Sequence, residues 1–550
     1  MKAIYFSYMP QLFEDQKKIA PSSVTMMGGR LFPGEVLEAL LEHSTFDRIV
    51  LPEQTRAGQL ETAKSPLFTR YRDRILFFPE HGLAALQQFE SVVFLSPTVD
   101  LAGLARLRQI SGCLTAPATG IIHSINSTST LRLFMLLSLC PLTSADALIC
   151  SSSAGRTAVE NYNSLLMKRL KCCGWHIPAP EYRTPLIPLG IKTADYKNVS
   201  SDSLRSKLQI PPGPVVLYMG RFSFTSKADL VPLLLEFGKL LRQHPETTLL
   251  VAGDDTQHGM ADELESIARR VSPCGRIRIL ADPDKATKHQ LYALADIFVS
   301  PSDSLQETFG LTVIEAMSAG LPVVASDWNG YKDLVVNGET GFRAETRFPV
   351  YPAYFDELRG SGWSLDVDLL AATTIIDWRQ FMASVSRLIS DTNLRKAMGK
   401  AAQEKALRTY DWTVIVASYE HLWRELAAES RDRDHLASRP NLDLDRYSYL
   451  DIFAHYPTAH LSSQAKLQIA ELKCLEPDGL SLLAHIGWFS VDTFARVLQI
   501  VKEHGIVSVE TILRSLAATD ESKQVSDLAH VSRLLKYGYL DLIPATEDVD

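Results

Sequence analysis

Two glutamates with seven residues between them, Glu307 and Glu315, are the residues of this sequence best placed to act on a ligand. The apolar run at 295–299 predicts a buried strand, residues 312–320 predict a helix, and residues 321–325 predict the next strand. In such a parallel strand–helix–strand unit, ligands lie beyond the carboxyl ends of the strands. Glu307 falls in the turn at that end and Glu315 on the helix, so both can accept hydrogen bonds from one polyol ligand.

The residues between the two glutamates add a second kind of contact. They place backbone N–H groups at the predicted helix N-terminus, where the helix dipole favours an anion. These residues are Phe309, Gly310, Leu311 and Thr312. The segment therefore predicts a ligand that carries both hydroxyls and negative charge.

A basic pair stands after another predicted strand, at 215–219, where Gly220 and Arg221 open a short polar loop that reaches Lys227. A helix is predicted from about Asp229. Arginine offers a rigid fork of donors and lysine a compact charge, which together suit a pyrophosphate. An Arg and a Lys at this spacing are alone usually solvated surface charges, but their place after the first strand of a second α/β domain favours phosphate binding.

The string from Ser300 to Ala325 closely resembles the Glu-x7-Glu segment of the family 4 (GT4) retaining glycosyltransferases, which have the two-domain GT-B fold. The resemblance implies that Glu307 contacts a donor sugar and that Glu315 holds the ribose. It also implies that the amides of 309–312 contact sugar and phosphate. The alternative is a pair of surface glutamates on an ordinary βαβ unit, because single glutamates are common on solvated helix faces.

The same resemblance extends to the basic pair and to the first half of the chain. Gly220, Arg221 and Lys227 match the family signature that binds the donor diphosphate. Gly28 and Gly29 follow the first strand, where GT4 enzymes carry a glycine loop between donor phosphate and acceptor, although a plain tight turn is the commoner reading of such a pair. His123 ends a predicted strand, where these enzymes often have a histidine facing the donor sugar, although a lone histidine there is more often structural. With Glu307, Arg221 and Lys227, His123 completes the expected catalytic set.

Alternating strands and helices predict an α/β fold with two Rossmann-like, doubly wound domains that face a cleft. An acceptor domain is expected over 1–200, and a nucleotide-sugar domain over 210–405. A crossover helix over 406–428 should return to the first domain. The resemblance covers roughly residues 1–428.

Residues beyond 428 are not explained by the family. A charged linker precedes a predicted all-α accessory domain over 446–550. Its helical segments are expected at 464–472, 480–485, 491–504, 509–517 and 527–536. Short helices of this kind also occur in DNA-binding modules, but the acidic excess here favours protein docking or dimerisation. An aromatic insert at 343–378 is interpreted as a surface loop packed by its own side chains, with a lid over the cleft as the alternative.

Composition limits the partners. The 550 residues suffice for two or more domains, and the formal net charge of −8 argues against nucleic acid as the main partner. The seven cysteines show neither a disulfide framework nor metal-ligand spacing, and Asp254 and Asp255 are interpreted as turn residues. The sequence predicts no cleavable signal and no membrane span, so a cytoplasmic location is expected, with peripheral membrane association left open.

The expected function is retaining, metal-independent transfer of a sugar from a nucleotide-diphosphate donor to an acceptor hydroxyl, without a cofactor. No carboxylate pair for a covalent intermediate is evident, in line with front-side departure and attack in this family. The acceptor is left open among a glycan, a lipid-linked group and a protein. Two alternatives remain: a non-catalytic GT-B scaffold or partner subunit acting through its C-terminal domain, and a phosphorylase or epimerase on the same fold.

Overall fold

The computed structural model of the chain describes most of its length. The described residues are 1–7, 28–52, 66–122, 125, 128–140, 142–176, 179–224, 226–256, 259–305, 307–347, 370–431, 461–470, 480, 484, 489–516 and 521–543. Those up to 431 form one compact unit, and those from 461 onward form a second.

The first sheet consists of six parallel strands. They are β1 (Lys2–Phe6), β2 (Arg48–Pro52), β3 (Ile75–Phe78), β4 (Ser91–Ser96), β5 (Ala118–Ile121) and β6 (Ala147–Ile149). Their spatial order is β3-β2-β1-β4-β5-β6. The strands are runs of buried apolar side chains, as expected of a parallel sheet with both faces covered.

The second sheet repeats this topology. Its strands are β7 (Val215–Met219), β8 (Thr248–Gly253), β9 (Ile277–Ala281), β10 (Ile297–Ser300), β11 (Val323–Ser326) and β12 (Gly341–Ala344). All pair in parallel, in the order β12-β11-β10-β7-β8-β9. The strand order therefore reverses between β1 and β4 in the first sheet and between β7 and β10 in the second.

Helices connect the strands in both sheets. Those of the first sheet are α1 (Gly28–His43), α2 (Pro66–Tyr71), α3 (Leu101–Ser111), α4 (Thr128–Leu137) and α5 (Ser153–Cys172). A 3₁₀ turn (Thr193–Tyr196) and α6 (Asp202–Lys207) lead to the second sheet. Its helices are α7 (Leu230–Leu240), α8 (Ala261–Val271), α9 (Lys285–Leu294), α10 (Leu311–Ser318) and α11 (Tyr331–Leu334). The alternation predicted from the sequence is confirmed, and the two sheets have the Rossmann-like topology of the GT-B fold.

The start of α1 corrects one expectation. Gly28 and Gly29 were predicted in a loop ahead of the helix, but they form its first residues. Pro33 lies inside the helix and cannot donate to the carbonyl one turn earlier. Phe32 upstream of this proline and Val36 downstream are both buried on the same side, so core packing carries the helix past the proline.

Three further helices close the larger unit: α12 (Trp378–Ser390), α13 (Thr392–Thr409) and α14 (Trp412–Arg431). Helix α14 packs on the first sheet. The Trp423 indole donates to Thr119 Oγ1 of β5 at 3.1 Å, and the buried Glu420 carboxylate accepts from the backbone N–H and hydroxyl of Thr45. This helix therefore ties the end of the larger unit to its first strands.

The insert at 343–378 is closed by a short antiparallel pair, β13 (Thr346–Arg347) with β14 (Ile375–Ile376). Residues 348–369 lie outside the described part of the chain, so its interpretation as a loop or lid remains a prediction.

The C-terminal unit is largely helical, as predicted, with α15 (Val491–His504), α16 (Val509–Ser515) and α17 (Glu521–Lys536). The all-α description misses a small antiparallel sheet of β15 (Lys466–Ile469), β16 (Val507–Ser508) and β17 (Leu540–Leu542). The helix predicted at 464–472 is therefore wrong. Its apolar residues alternate, and the pairing with β17 buries Leu467 while satisfying the backbone. The predicted 480–485 helix falls mostly outside the described residues.

Among the described residues, no helix combines the length and the apolar character that crossing a membrane requires.

Candidate active site

The basic pair and the first glutamate come together at the carboxyl end of the second sheet. Arg221 and Lys227 follow β7, and Glu307 follows β10. These two strands are neighbours at the point where the strand order reverses, which is where open α/β sheets form their ligand crevice. The structure thus unites residues that lie 80 positions apart in the chain.

Lys227 and Glu307 form a direct ion pair between Nζ and Oε2. Their side chains are only 13% and 11% exposed, so the pair is largely withdrawn from water. Removing one member of such a pair leaves a poorly solvated charge, which is costly. Each of the two side chains therefore neutralises the charge of the other when no ligand is present.

Gly220 is required for this approach. A Cβ at this position would lie 2.7 Å from the Tyr218 hydroxyl and 3.0 Å from Cε of Lys227. Burial, with a further contribution from the Glu307 charge, raises the pKa of Tyr218, so its hydroxyl stays protonated. The glycine lets Lys227 cross the end of β7 toward β10.

Arg221 has donors left over. Its Nη2 donates to the Ser226 carbonyl at 3.3 Å, while Nη1 is buried and has no hydrogen-bond partner among the described residues. A buried donor without a partner is costly unless a ligand supplies the acceptor. Beside Lys227, this guanidinium is suited to an anion.

Glu315, the second glutamate, lies in a separate cluster. Lys288 Nζ donates to its Oε1 at 2.6 Å, and the Tyr292 hydroxyl donates to its Oε2 at 2.7 Å. Glu315 is 8% exposed. Each carboxylate oxygen has several lone-pair sites, so acceptor capacity remains for a ligand hydroxyl.

The backbone between the glutamates, the 307–312 segment, turns into α10 at Gly310. Gly310 has φ 119°, a conformation that side chains disfavour, and a Cβ there would lie 2.5 Å from the Tyr331 ring. Phe309 is buried against Tyr410 with ring centroids 6.0 Å apart. The amides of this segment thus sit on a firmly packed turn at a helix N-terminus, as the sequence predicts.

The first-sheet candidates are less informative. Gly28 and Gly29 begin α1, as described above. His123 lies two positions beyond the end of β5 and outside the described residues, so its role remains a prediction. The interpretation of Asp254 and Asp255 as turn residues is confirmed. Asp254 accepts from Thr256, and Asp255 accepts two backbone N–H groups where α8 begins.

Lys288 and Tyr292 were missed by sequence reasoning. They stand four apart on α9, a spacing that places both on one helix face, and this pattern was available in the sequence. The spacing alone did not distinguish them from ordinary surface residues, because their contacts with Glu315 depend on the fold. Both donate hydrogen bonds to Glu315.

A buried carboxyl beside the site gives a pH dependence. Asp303 is 5% exposed, and burial raises its pKa to about 7, against the opposing effect of the Asp229 N–H. From about pH 4 to 7 the folded protein therefore retains a proton that the unfolded chain has lost, so the free energy of unfolding falls as pH rises through this window. Asp303→Asn should remove the part of this fall that Asp303 contributes. Thermal melts of both proteins at pH 5 and pH 8 check it, and equal shifts would contradict the assignment.

Comparison with known proteins relates part of the chain to one family. Residues 200–348 match the family described as glycosyl transferases group 1. The chain is similar to the phosphatidyl-myo-inositol mannosyltransferase of Mycobacterium tuberculosis, with 29% identity over 215 residues, 39% of this chain and 48% of that protein. It is also similar to the D-inositol 3-phosphate glycosyltransferase of Nocardia farcinica, with 31% identity over 164 residues, 29% of this chain and 36% of that protein. The match thus spans about half or less of these relatives.

Solved structures show the same fold. HepE from Anabaena, in complex with UDP, aligns with a TM-score of 0.51 at 19% identity, over 77% of this chain and 100% of that one. A glycosyltransferase from Rickettsia africae aligns with a TM-score of 0.51 at 16% identity, over 77% and 98%. Residues 200–348 therefore match glycosyl transferases group 1, and the larger unit has the GT-B fold.

Proposed function

We propose that the protein is a retaining, metal-independent glycosyltransferase that moves a sugar from a nucleoside-diphosphate donor to an acceptor hydroxyl. The observation that carries the proposal is the meeting of Arg221, Lys227 and Glu307 at the strand-order reversal of the segment that matches the family. A diphosphate, a sugar hydroxyl and a ribose are the groups that this set of donors and acceptors suits.

The diphosphate is the leaving group, and its negative charge grows as the glycosidic bond breaks. Arg221, whose buried Nη1 lacks a hydrogen-bond partner in the described part of the chain, and Lys227 stabilise that charge in a site largely shielded from water. Lys227 is paired with Glu307 when no donor is bound. On donor binding, Lys227 turns to the phosphate oxygens and Glu307 accepts from the sugar hydroxyls.

The bond changes follow from retention at the sugar carbon. The bond from that carbon to the diphosphate oxygen breaks, and the acceptor oxygen bonds to the same face. The acceptor hydroxyl proton passes to the departing phosphate oxygen, so the step needs no protein nucleophile. Glu315, held by Lys288 and Tyr292, accepts from the ribose hydroxyls and fixes the nucleotide end.

A screen of nucleotide sugars tests the proposal. A ligand of the native state raises the melting temperature, so one UDP-, GDP- or ADP-sugar should stabilise the chain clearly more than sugar alone. HepE, solved with UDP, makes UDP-sugars the first set to test. Release of the nucleoside diphosphate in the presence of an acceptor then shows transfer. No stabilisation by any donor would reject the proposal.

The location proposed is the cytoplasm, at the surface of a membrane. The C-terminal end of α5 exposes Lys168, Arg169 and Lys171, and Trp175 beyond it is 59% exposed. Basic residues beside an aromatic ring suit an anionic lipid surface. The protein should sediment with vesicles that contain phosphatidylserine and less with neutral ones, and Trp175→Ala with Lys168→Ala should weaken this. Binding unchanged by lipid charge would contradict the proposal.

The C-terminal unit is proposed to serve a protein partner or a second copy of the chain. It has its own core, which includes Leu467, Phe494, Val501 and Leu540, so the chemistry of the larger unit does not depend on its packing. A chain ended near residue 439 should remain folded and act on a small soluble acceptor, while its oligomeric state or its action on a macromolecular acceptor changes. Light scattering and turnover on both acceptor types measure this, and an insoluble truncated chain would contradict it.

A further inference from the structure

Each sheet and the helices packed on it are called a layer below. Two serines of the first layer, Ser152 and Ser153, form hydrogen bonds directly with residues of the second layer. Ser152, just beyond β6, caps α5: its hydroxyl oxygen accepts from the Gly155 N–H at 3.1 Å. The same hydroxyl donates to the Thr308 carbonyl oxygen at 2.7 Å. Ser152 and Thr308 are both buried, so this hydrogen bond is shielded from water.

Ser153 adds a second link. Its backbone N–H and its hydroxyl each donate to the Asp333 carboxylate at 2.6 Å. Asp333 lies on α11 and so places a negative charge at the N-terminus of the 20-residue helix α5, where the helix dipole favours it. The Ser152–Thr308 and Ser153–Asp333 bonds together join the layers at the 307–312 segment.

The hydrogen bond from Ser152 fixes the orientation of the peptide group between Thr308 and Phe309. In a trans peptide the carbonyl of one residue and the N–H of the next point opposite ways. Holding the Thr308 carbonyl on Ser152 therefore directs the Phe309 N–H away from the first sheet. Gly330 leaves room beside the same carbonyl, since a Cβ there would lie 2.5 Å from the Thr308 oxygen and 2.6 Å from Phe309 Cα.

We propose that Ser152 is a positioning residue for sugar transfer: it couples the contact between the two layers to the orientation of the Phe309 amide toward the donor. The Ser153–Asp333 link keeps the layers close enough for this hydrogen bond. The proposal rests on the proposed function, because it assigns the Phe309 amide to the donor.

Hydrogen exchange tests the coupling without any substrate. In Ser152→Ala, peptides covering residues 307–312 should exchange several-fold faster than in the wild type. A role limited to capping α5 would speed exchange only near 152–156. Asp100→Ala is the matched control, since Asp100 caps α3 through the Gly103 N–H at 2.9 Å and should leave 307–312 unchanged. Unchanged exchange at 307–312 in Ser152→Ala would overturn the proposal.

Turnover supplies the second readout. Ser152→Ala should lower kcat/KM for the donor roughly tenfold, the effect of one hydrogen bond, while Ser152→Thr, which retains the hydroxyl, restores most of it. Equal turnover of Ser152→Ala and wild type would overturn the positioning role. If the wild type itself binds and turns over no nucleotide sugar, the proposed function fails, whereas the exchange result judges the coupling independently.

Discussion

Replacing Lys227 by alanine should weaken the binding of a free nucleoside diphosphate about ten- to a hundredfold, and kcat/KM for the donor at least as much. One charge-assisted hydrogen bond to the diphosphate contributes about 1.5–3 kcal/mol. The substitution also strips Glu307 of its partner and leaves a poorly solvated negative charge beside the phosphates. Both effects act in the same direction, so this variant should be among the most impaired.

Calorimetry with the nucleoside diphosphate measures this effect, and circular dichroism verifies that the variant is folded. Lys239→Ala is the matched control, because Lys239 also pairs with a glutamate, Glu236 at 2.6 Å, but on the exposed face of α7. It should bind the nucleotide as the wild type does. Unchanged affinity in Lys227→Ala would remove the diphosphate from this position.

The two glutamates should fail in different ways. Glu307→Gln should lower kcat at least tenfold while the free nucleoside diphosphate binds nearly as before, because this side chain is assigned to the sugar. Glu315→Gln should weaken the free nucleotide as well, since it is assigned to the ribose. The glutamine also exchanges an acceptor for a donor beside Lys288 and Tyr292, which both donate to the native carboxylate.

Steady-state kinetics and nucleotide titrations on both variants separate these effects. Glu236→Gln serves as the control, because it alters an ion-paired carboxylate on α7, a helix of the same sheet. Equal loss of nucleotide affinity in Glu307→Gln and Glu315→Gln would show that the division between sugar and ribose is wrong.

Much of the larger unit could be predicted from sequence because its strands are short, largely apolar runs. Residues 75–78 and 215–219 are strands with the predicted bounds, and α7 begins immediately after Asp229, which caps it. Parallel strands that are buried on both faces appear in the sequence as continuous apolar runs, so their bounds are easy to predict. The predicted elements also gave the places of the site candidates. Arg221, Lys227 and Glu307 follow strand ends, and Glu315 lies on a helix.

The local alternation of the C-terminal unit was harder to interpret. Ala465, Leu467 and Ile469 alternate with polar residues, the period of a strand, but the neighbouring sequence also permits a helical pattern. Pairing with β17, at 540–542 and distant in sequence, stabilises the strand rather than a helix. Pairing with a remote segment is not visible in a local pattern.

Contacts between the two layers could likewise not be predicted from the sequence. Ser152 drew no functional prediction from the sequence, and only the fold brings the Thr308 carbonyl within 2.7 Å of its hydroxyl. The pairing of Lys227 with Glu307 has the same origin, since adjacency of β7 and β10 places them together. Residue types indicated what these side chains can bind, and the topology decided which of them meet.

A crystal structure with the nucleoside diphosphate of the best-stabilising donor tests the central claim most directly. We expect the diphosphate within hydrogen-bond distance of Arg221 Nη1 and Lys227 Nζ, with the ribose hydroxyls on Glu315. We also expect Lys227 to have moved from Glu307 toward the phosphates. A nucleotide bound elsewhere on the chain, with the Lys227–Glu307 pair intact, would contradict the account.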